Sequence, residues 1–316
     1  MSAPGERNYP ASVHSRLRQL SLRGEDLNRI LQRYAAERFL FRLGASPVAD
    51  RFILKGASLF LVWNGDVYRG TQDIDLLAEG ANTQDAIRRA LDIICTIPCP
   101  EDGVVFDPSL TIIRRLPVDG GRATRFRMEG MLGNIRLPLQ VDIGVGDAIN
   151  PPPTRSAYPT LLDQPQPVVW VYPRETLIAE KFAAMVVLGR RNSRIKDVWD
   201  IAALATDFFF EGPALQRAVR ATLLKREALK GTDVAALGPT YYDEPDRQVM
   251  WSRFRRQIEV EGYEPNSLAE AGSVVRAFLM PVWNSVLREE PFAMEWPPGG
   301  PWRPRRSGAS GEGDRA

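Results

Sequence analysis

Residues 73–77 read Asp73-Ile74-Asp75-Leu76-Leu77. Two acids alternate with apolar residues at the head of an apolar run, which predicts a strand over Ile74–Leu77. Successive strand side chains point to opposite faces, so Asp73 and Asp75 share one face while Ile74 points into a core. Two carboxylates on one face repel each other unless a cation lies between them. A hard divalent ion such as Mg²⁺, completed by substrate phosphates, meets that need. A solvated strand end has the same local sequence, so the pair gains weight only from its surroundings.

Upstream lies Leu54-Lys55-Gly56-Ala57-Ser58, where the short apolar run Phe52–Leu54 gives way to a helix expected over Ala57–Trp63 and closed by Asn64-Gly65. A helix entry presents backbone N–H groups and a positive dipole end, which suits a phosphate. Gly56 permits close approach and Ser58 adds a hydroxyl. The plainer reading is a helix entry that needs a flexible residue. Downstream, Leu139-Gln140-Val141-Asp142-Ile143-Gly144 is a second predicted strand with an acid facing away from its apolar side. Asp147 competes with Asp142 but follows Gly144 and Gly146 in an expected loop. A glycine turn, a D-x-D pair and a later strand Asp together form a two-metal phosphoryl-transfer constellation. Asp142 is then either the third, metal-bridging carboxylate or the base that deprotonates an acceptor hydroxyl.

The pattern on either side of these segments predicts an α+β (mixed α/β) protein. Two helices are expected over residues 9–43, the second carrying Leu27, Ile30, Leu31, Tyr34 and Leu40 at helical spacing and ending at Gly44. A helix follows over Gln84–Ile94. Short β-type runs at Val104–Phe106, Leu110–Arg115, Ala123–Glu129 and Ile135–Ile143 are separated by turn residues and predict a sheet joined to the Ile74–Leu77 strand. Six prolines over residues 150–167 predict an irregular connection. From Pro173 onward the pattern is helical, with segments near 173–188, 193–205, 213–229, 246–261 and 267–288. The expected organisation is residues 1–150 as N-terminal helices and catalytic domain, 151–172 as a proline-rich connection, 173–295 as a helical C-terminal domain completing the active site, and 296–316 as a disordered tail.

Composition narrows the function classes. The 316 residues carry 41 Lys+Arg against 39 Asp+Glu, a net charge of +2, so any basic surface must arise by local clustering. Lysine accounts for only five of the basic residues, which makes each one worth separate attention. Cys95, Cys99 and the single His14 cannot build a Cys/His zinc site or a disulfide framework. The expected state of the cysteines is free thiols in a reducing compartment, and His14 is far from every motif. No signal-like segment or membrane-length apolar run is present, which predicts a cytoplasmic location without membrane contact.

The run Leu54-Lys55-Gly56-Ala57-Ser58-Leu59, followed by Arg69-Gly70-Thr71-Gln72-Asp73-Ile74-Asp75-Leu76, resembles the first motif of the AbiEii/AbiGii nucleotidyltransferase-like toxins. These belong to the DNA polymerase β-type nucleotidyltransferase superfamily. Glu180-Lys181-Phe182-Ala183-Ala184 and Arg194-Ile195-Lys196-Asp197-Val198-Trp199-Asp200-Ile201 are similar to that family's later motifs, as is Tyr34–Leu40 to its N-terminal stretch. The likeness covers about residues 10–290. Where the superfamily often has Gly-Ser or Gly-Gly, this chain has Gly56-Ala57, so Ser58 or backbone amides would meet the terminal phosphate.

The resemblance implies a nucleotidyltransferase-like mixed sheet with flanking helices plus a helical C-terminal domain. It implies a type IV toxin that transfers a nucleotide from an NTP, with Mg²⁺ or Mn²⁺, to an acceptor such as the 3′ end of tRNA, and so blocks translation. It also implies a separately encoded AbiEi-type antitoxin. Asp73, Asp75 and Asp142 would hold metal, and Lys55, Gly56, Ala57, Ser58, Arg69 and Thr71 would line the substrate. Lys181 reads as a snorkelling surface lysine or, with the resemblance, as a contact to the triphosphate. Lys196 and Asp200 stand four apart on a helix and suit an ion pair, which leaves Asp197 to face the cleft with Asp200 in support.

Arg122, Arg125, Arg127 and Arg136, with Arg190, Arg191 and Arg194, form either a solvated charged surface or a groove for an RNA backbone. Arg303, Arg305 and Arg306 add charge to the tail. Two rival readings remain: the same chemistry on a small-molecule or protein hydroxyl, and a catalytically silent binding protein.

Overall fold

Asn8 and Asp26 accept hydrogen bonds from the first turns of the two N-terminal helices, α1 (Tyr9–Ser21) and α2 (Leu27–Ala45), and so satisfy backbone donors that a helix leaves open. In this computed structural model residues 8–65, 73–80, 83–118, 121–230, 234–238, 240–256, 258 and 265–305 are described. After α2 come β1 (Phe52–Lys55), a 3₁₀ turn over Gly56–Ser58, α3 (Leu59–Asn64), β2 (Asp73–Ala78) and α4 (Gln84–Cys95). A meander of long strands follows, β3 (Val104–Val118), β4 (Gly121–Leu132) and β5 (Ile135–Val145), then β6 (Thr154–Ala157) and β7 (Val168–Val171). The sheet order is β3-β4-β5-β2-β1-β7-β6. β2 pairs with β5 in parallel and β1 pairs with β7 in parallel, while the other pairings are antiparallel, so the sheet is mixed.

One face of the sheet is covered by helices. Ile30, Tyr34, Phe39, Leu40 and Leu43 of α2 are buried with Leu54, Ile74, Leu76, Val141 and Ile143 in one core, and α2 lies against β5 and β7. At about 25 cal/mol per Å² of apolar surface removed from water, burial of each large side chain contributes roughly 1.5–3 kcal/mol.

Four features depart from the sequence reading. Helix α2 continues through Gly44 instead of stopping before it, because Gly44 serves a close helix–strand approach: a Cβ there would lie 2.5 Å from the Val168 carbonyl oxygen of β7. The β-type runs on either side of Pro108 join into one strand. β3 lies at the sheet edge, where the missing N–H of a proline leaves no partner unpaired, and the register shifts between Asp107 and Ile112.

Residues 151–172, expected to be irregular, supply β6 and β7. The apolar run Val168–Val171 pairs with β1, and the prolines fall outside both strands. Three charged residues on the buried side of α2 hold this segment and its neighbour. Glu37 Oε2 accepts from the Leu161 N–H at 2.7 Å, Arg38 donates to the Pro165 carbonyl at 3.2 Å, and Arg42 grips Asp102 at 2.6 Å.

The fourth departure lies in the second unit. The chain divides into Met1–Pro173 with Ile258–Gly262, and Arg174–Gln257 with Tyr263–Ala316. The second unit packs α5 (Arg174–Leu188), α6 (Ile195–Asp207), α7 (Gly212–Lys225), α8 (Pro245–Arg255) and α9 (Leu268–Arg288), with α5 against α7 and α6 and α7 against α9. The helix expected over 246–261 is described only to Arg255, since 257 and 259–264 lie outside the described residues. A small sheet joins β8 (Phe210–Glu211), β9 (Met294–Trp296) and β10 (Arg303–Pro304).

Residues 296–305 are therefore folded, against the expectation of a disordered tail. The Trp302 ring stacks on Phe278 with centroids 5.5 Å apart, and its indole N–H donates to the Phe278 carbonyl. Trp296 donates to the Ala205 carbonyl. Two tryptophans supply enough apolar area to offset the ordering of a proline- and glycine-rich strand, which composition alone did not reveal. Residues 306–316 lie outside the described residues.

Candidate active site

Strand register places four charged residues in one row across the sheet of the first unit. Lys55 of β1 is opposite Asp75 of β2, Asp75 is opposite Asp142 of β5, and Asp142 is opposite Arg125 of β4. Opposed residues share a face, so this row lies on the side away from Ile74, Val141 and Phe126, which are buried. Asp73 stands two residues before Asp75 on the same face, beside Gln140, which in turn is opposite Arg127. The alternation seen in the sequence thus becomes a polar face with a charge order of plus, minus, minus, plus along the row.

Each end of the row is held by an ion pair. Arg125 grips Asp142 with two parallel hydrogen bonds, Nε to Oδ1 at 2.8 Å and Nη2 to Oδ2 at 2.7 Å. The same Nη2 lies 3.9 Å from Asp73 Oδ2. These carboxylates, the Asp142 hydrogen bond first among them, raise the guanidinium's proton affinity further against the opposing effect of burial. Lys55 Nζ donates to Asp147 Oδ2 at 2.6 Å and lies over the Tyr172 ring. Asp147, set aside by sequence reasoning as a loop residue, is therefore the lysine's partner. Gly144 lies beside this pair, and a Cβ there would make ordinary contacts with both Asp147 and Lys55.

The glycine turn is part of the same construction. Gly56 has φ +74°, a left-handed conformation that glycine adopts without strain, and a Cβ on it would collide with the Asp75 carboxylate. Gly56 is thus needed for Asp75 to lie against the turn. Ala57 is buried, and Ser58 is buried with its hydroxyl donating to the Lys55 carbonyl at 3.2 Å. The Ser58 hydroxyl proton is thus used inside the turn. Arg69, Thr71 and Arg306 lie outside the described residues, as does the side chain of Arg122.

Oxygen donors from Asp73 and Asp75 are of the hard type that suits Mg²⁺ or Mn²⁺. Asp142, expected as a third ligand, has both oxygens engaged by Arg125. Among the described residues no group of three or more His, Cys, Asp or Glu side chains is arranged to hold a metal. The donor set fits a cation held by the Asp73–Asp75 pair with outside oxygens completing it.

The second unit contains its own ion cluster. Lys181 on α5 is buried, and its Nζ lies 2.7 Å from both Asp197 Oδ1 and Asp200 Oδ2 on α6. Arg194 Nε reaches Asp197 Oδ2 at 2.6 Å. Burial pushes the Asp197 carboxyl up, but Lys181 and Arg194 outweigh it and hold the group below the ordinary carboxylate value. Asp200, expected to pair with Lys196, meets Lys181 from the neighbouring helix, and Lys196 is exposed. Helical spacing pointed to a partner on the same helix, and burial of Asp200 on the inner side of α6 brought a lysine of α5 beside it.

Most arginines of the expected RNA groove also have acidic or polar partners. Arg127 donates to Gln140, Arg136 pairs with Glu129, and Arg190 pairs with Glu244. In the tail, Arg303 and Arg305 pair with Glu295 and Glu211. Both cysteines are free thiols, and burial raises Cys95 to about 12 and Cys99 to about 11. No described helix is long and apolar enough to cross a membrane.

A family model described as nucleotidyl transferase AbiEii toxin, type IV toxin–antitoxin system, matches residues 38–277. No curated protein matches the chain. Among solved structures, the chain is similar to a candidate nucleotidyltransferase from H. pylori, with 13% identity over 81% of this chain and 95% of the other and a TM-score of 0.44. It is also similar to JHP933 from Helicobacter pylori, with 14% identity over 81% and 94% and a TM-score of 0.41.

Proposed function

The chain belongs to the AbiEii family of nucleotidyltransferase toxins of type IV toxin–antitoxin systems, and from that premise we propose that it transfers a nucleotide from an NTP to the 3′ end of tRNA. The observation that carries the reading is the row Lys55, Asp75, Asp142 and Arg125, with Asp73 beside it, on one sheet face. Phosphoryl transfer needs little covalent work from a protein. It needs the reacting groups positioned and the developing charge offset, and a face with two acids flanked by two bases supplies both.

Asp73 and Asp75 would hold Mg²⁺, with NTP phosphates completing its coordination. When bound, the ion offsets phosphate charge and polarises the phosphoryl group. Gly56 and Ala57 bring the backbone of the turn beside Asp75, where it lines the phosphate side of the site. Lys55, anchored by Asp147, supplies a positive charge next to Asp75. Asp142 positions Arg125 by two hydrogen bonds, so the acceptor hydroxyl loses its proton to Asp142 only if Arg125 first moves. In the second unit, Lys181 fixes Asp197 and Asp200 as one cluster. A separately encoded antitoxin is the partner this family reading assigns.

The test is incubation of the purified full chain with each labelled NTP, Mg²⁺ and total RNA. Label should enter RNA of tRNA size, and Asp73→Ala or Asp75→Ala should abolish it while a cooperative melting transition shows that the variant remains folded. Label on a protein or small molecule would replace tRNA as acceptor. Transfer at wild-type rate by both variants would remove the carboxylate pair from the chemistry.

A further inference from the structure

Both oxygens of Asp142 are engaged by a single side chain, and that side chain also reaches toward Asp73. We infer that Arg125 and a divalent cation compete for Asp142, so that metal loading of this face releases the Arg125 guanidinium. The inference rests on the reading of this face as a metal site, and goes beyond it by assigning Arg125 a part in loading.

Asp75 and Asp142 are directly opposed on parallel strands, and Asp73 is on the same face. Carboxylates so placed repel one another, and the row sets Lys55 opposite Asp75 and Arg125 opposite Asp142. At the Asp142 end the countercharge is Arg125, held at 2.8 and 2.7 Å to Asp142 and at 3.9 Å to Asp73. A divalent ion brings two charges to the same oxygens and excludes the guanidinium from them.

The exchange sets a divalent charge against a strong pair. The planar fork fits a carboxylate closely and makes two hydrogen bonds to it, but the Arg125 side chain is 26% exposed, so water can solvate the guanidinium as it leaves. Its strand neighbour on the same face, Arg127, is exposed, so a released Arg125 has a solvent-facing path. Once free, the guanidinium presents paired donors suited to phosphate oxygens. Metal binding would therefore create an anion site one strand away from Asp142. Sequence alone showed Arg125 as part of a basic patch, and strand register alone turns it into the partner of an acid.

The test is a Mn²⁺ titration by calorimetry on the full chain, without nucleotide, for wild type, Arg125→Gln, Asp142→Asn and the double variant. Arg125→Gln should bind Mn²⁺ about tenfold more tightly than wild type, which corresponds to roughly 1.4 kcal/mol. On the Asp142→Asn background the same substitution should give no such gain. Equal affinity of wild type and Arg125→Gln overturns the inference. So does a gain of the same size on both backgrounds, which would report only the loss of a nearby positive charge. Arg125→Lys keeps the charge without the fork, and should tighten Mn²⁺ binding by an intermediate amount. It also provides a reading should Arg125→Gln fold poorly. The titration uses no NTP, so it is independent of the transfer assay. Transfer with no competition sinks this inference alone, and competition with no transfer sinks the proposed function alone.

Discussion

Lys181 is a residue whose meaning changed between sequence and structure. In the sequence it is one of five lysines among 41 basic residues, with Ala179, Phe182, Ala183 and Ala184 around it, and suited to a phosphate. In the fold its ammonium lies between Asp197 and Asp200, both fully buried. Removing one member of a buried ion group costs far more than the group contributes as a whole, because the partners keep their desolvation penalty. Lys181→Met should therefore destabilise the protein by about 3–5 kcal/mol. Both carboxylates then lose an ammonium held at 2.7 Å, and Lys181→Met with Asp200→Asn, which removes one of the two negative charges, should recover part of the loss. Urea midpoints at constant m-value measure this. A loss below about 1 kcal/mol, the scale of surface pairs, would show that Lys181 is not held as described.

At the scale of elements, the contact of α2 with β7 depends on a missing side chain. Helix propensity favours alanine over glycine by about 1 kcal/mol, so Gly44→Ala would stabilise a free-standing helix. Here the new Cβ would meet the Val168 carbonyl oxygen at 2.5 Å and its backbone carbon and nitrogen at 3.2 and 3.3 Å. Those atoms belong to a strand paired on both sides, β1 and β6, and cannot swing away like a side chain. Overpacking of this kind costs about 1–3 kcal/mol, which outweighs the propensity gain. Gly44→Ala should lower the melting temperature, and a rise would refute the close approach. Helical pattern gave the extent of α2 to within two residues, but read its glycine as a stop signal. Only the strand beneath it explains why a glycine stands inside the last turn.

At the scale of the whole molecule, pH dependence follows from the charges buried under α2. Burial, opposed in part by Arg38, pushes the Glu37 carboxyl up to about 7 from an ordinary 4.5. The folded state therefore keeps a proton that the unfolded chain releases. Stability from this group is fully present below about pH 4.5 and is lost as pH rises toward 7, by an amount on the order of 3 kcal/mol. Asp197 acts with the opposite sign: its contribution is present above the ordinary value of 3.8 and lost at lower pH, outside the Glu37 window. Glu37→Gln mimics the protonated form at every pH. It should flatten the decline of unfolding free energy between pH 4.5 and 7, while loss of the 2.6 Å ion pair with buried Arg38 lowers stability at high pH. Parallel pH profiles for the two proteins would contradict this assignment.

The sequence by itself determined the main helices, the strands that carry the site and the facing of their side chains. Alternation in Asp73-Ile74-Asp75 fixed both acids on one side of a strand, and the same pattern around Asp142 put that residue opposite its apolar neighbours. The motifs near Gly56, Asp73 and Lys181 also carried the family resemblance. Tertiary structure decided which charge meets which. Asp142 faces Arg125 across 17 residues of chain, Lys55 finds Asp147 across 92, and Lys181 meets Asp197 across 16 and an intervening turn. A period of two or 3.6 residues is a local property and can be read from neighbours in the chain. Strand register and helix docking are set by how distant apolar faces fit together, and a one-residue slip would give every acid on this sheet a different partner.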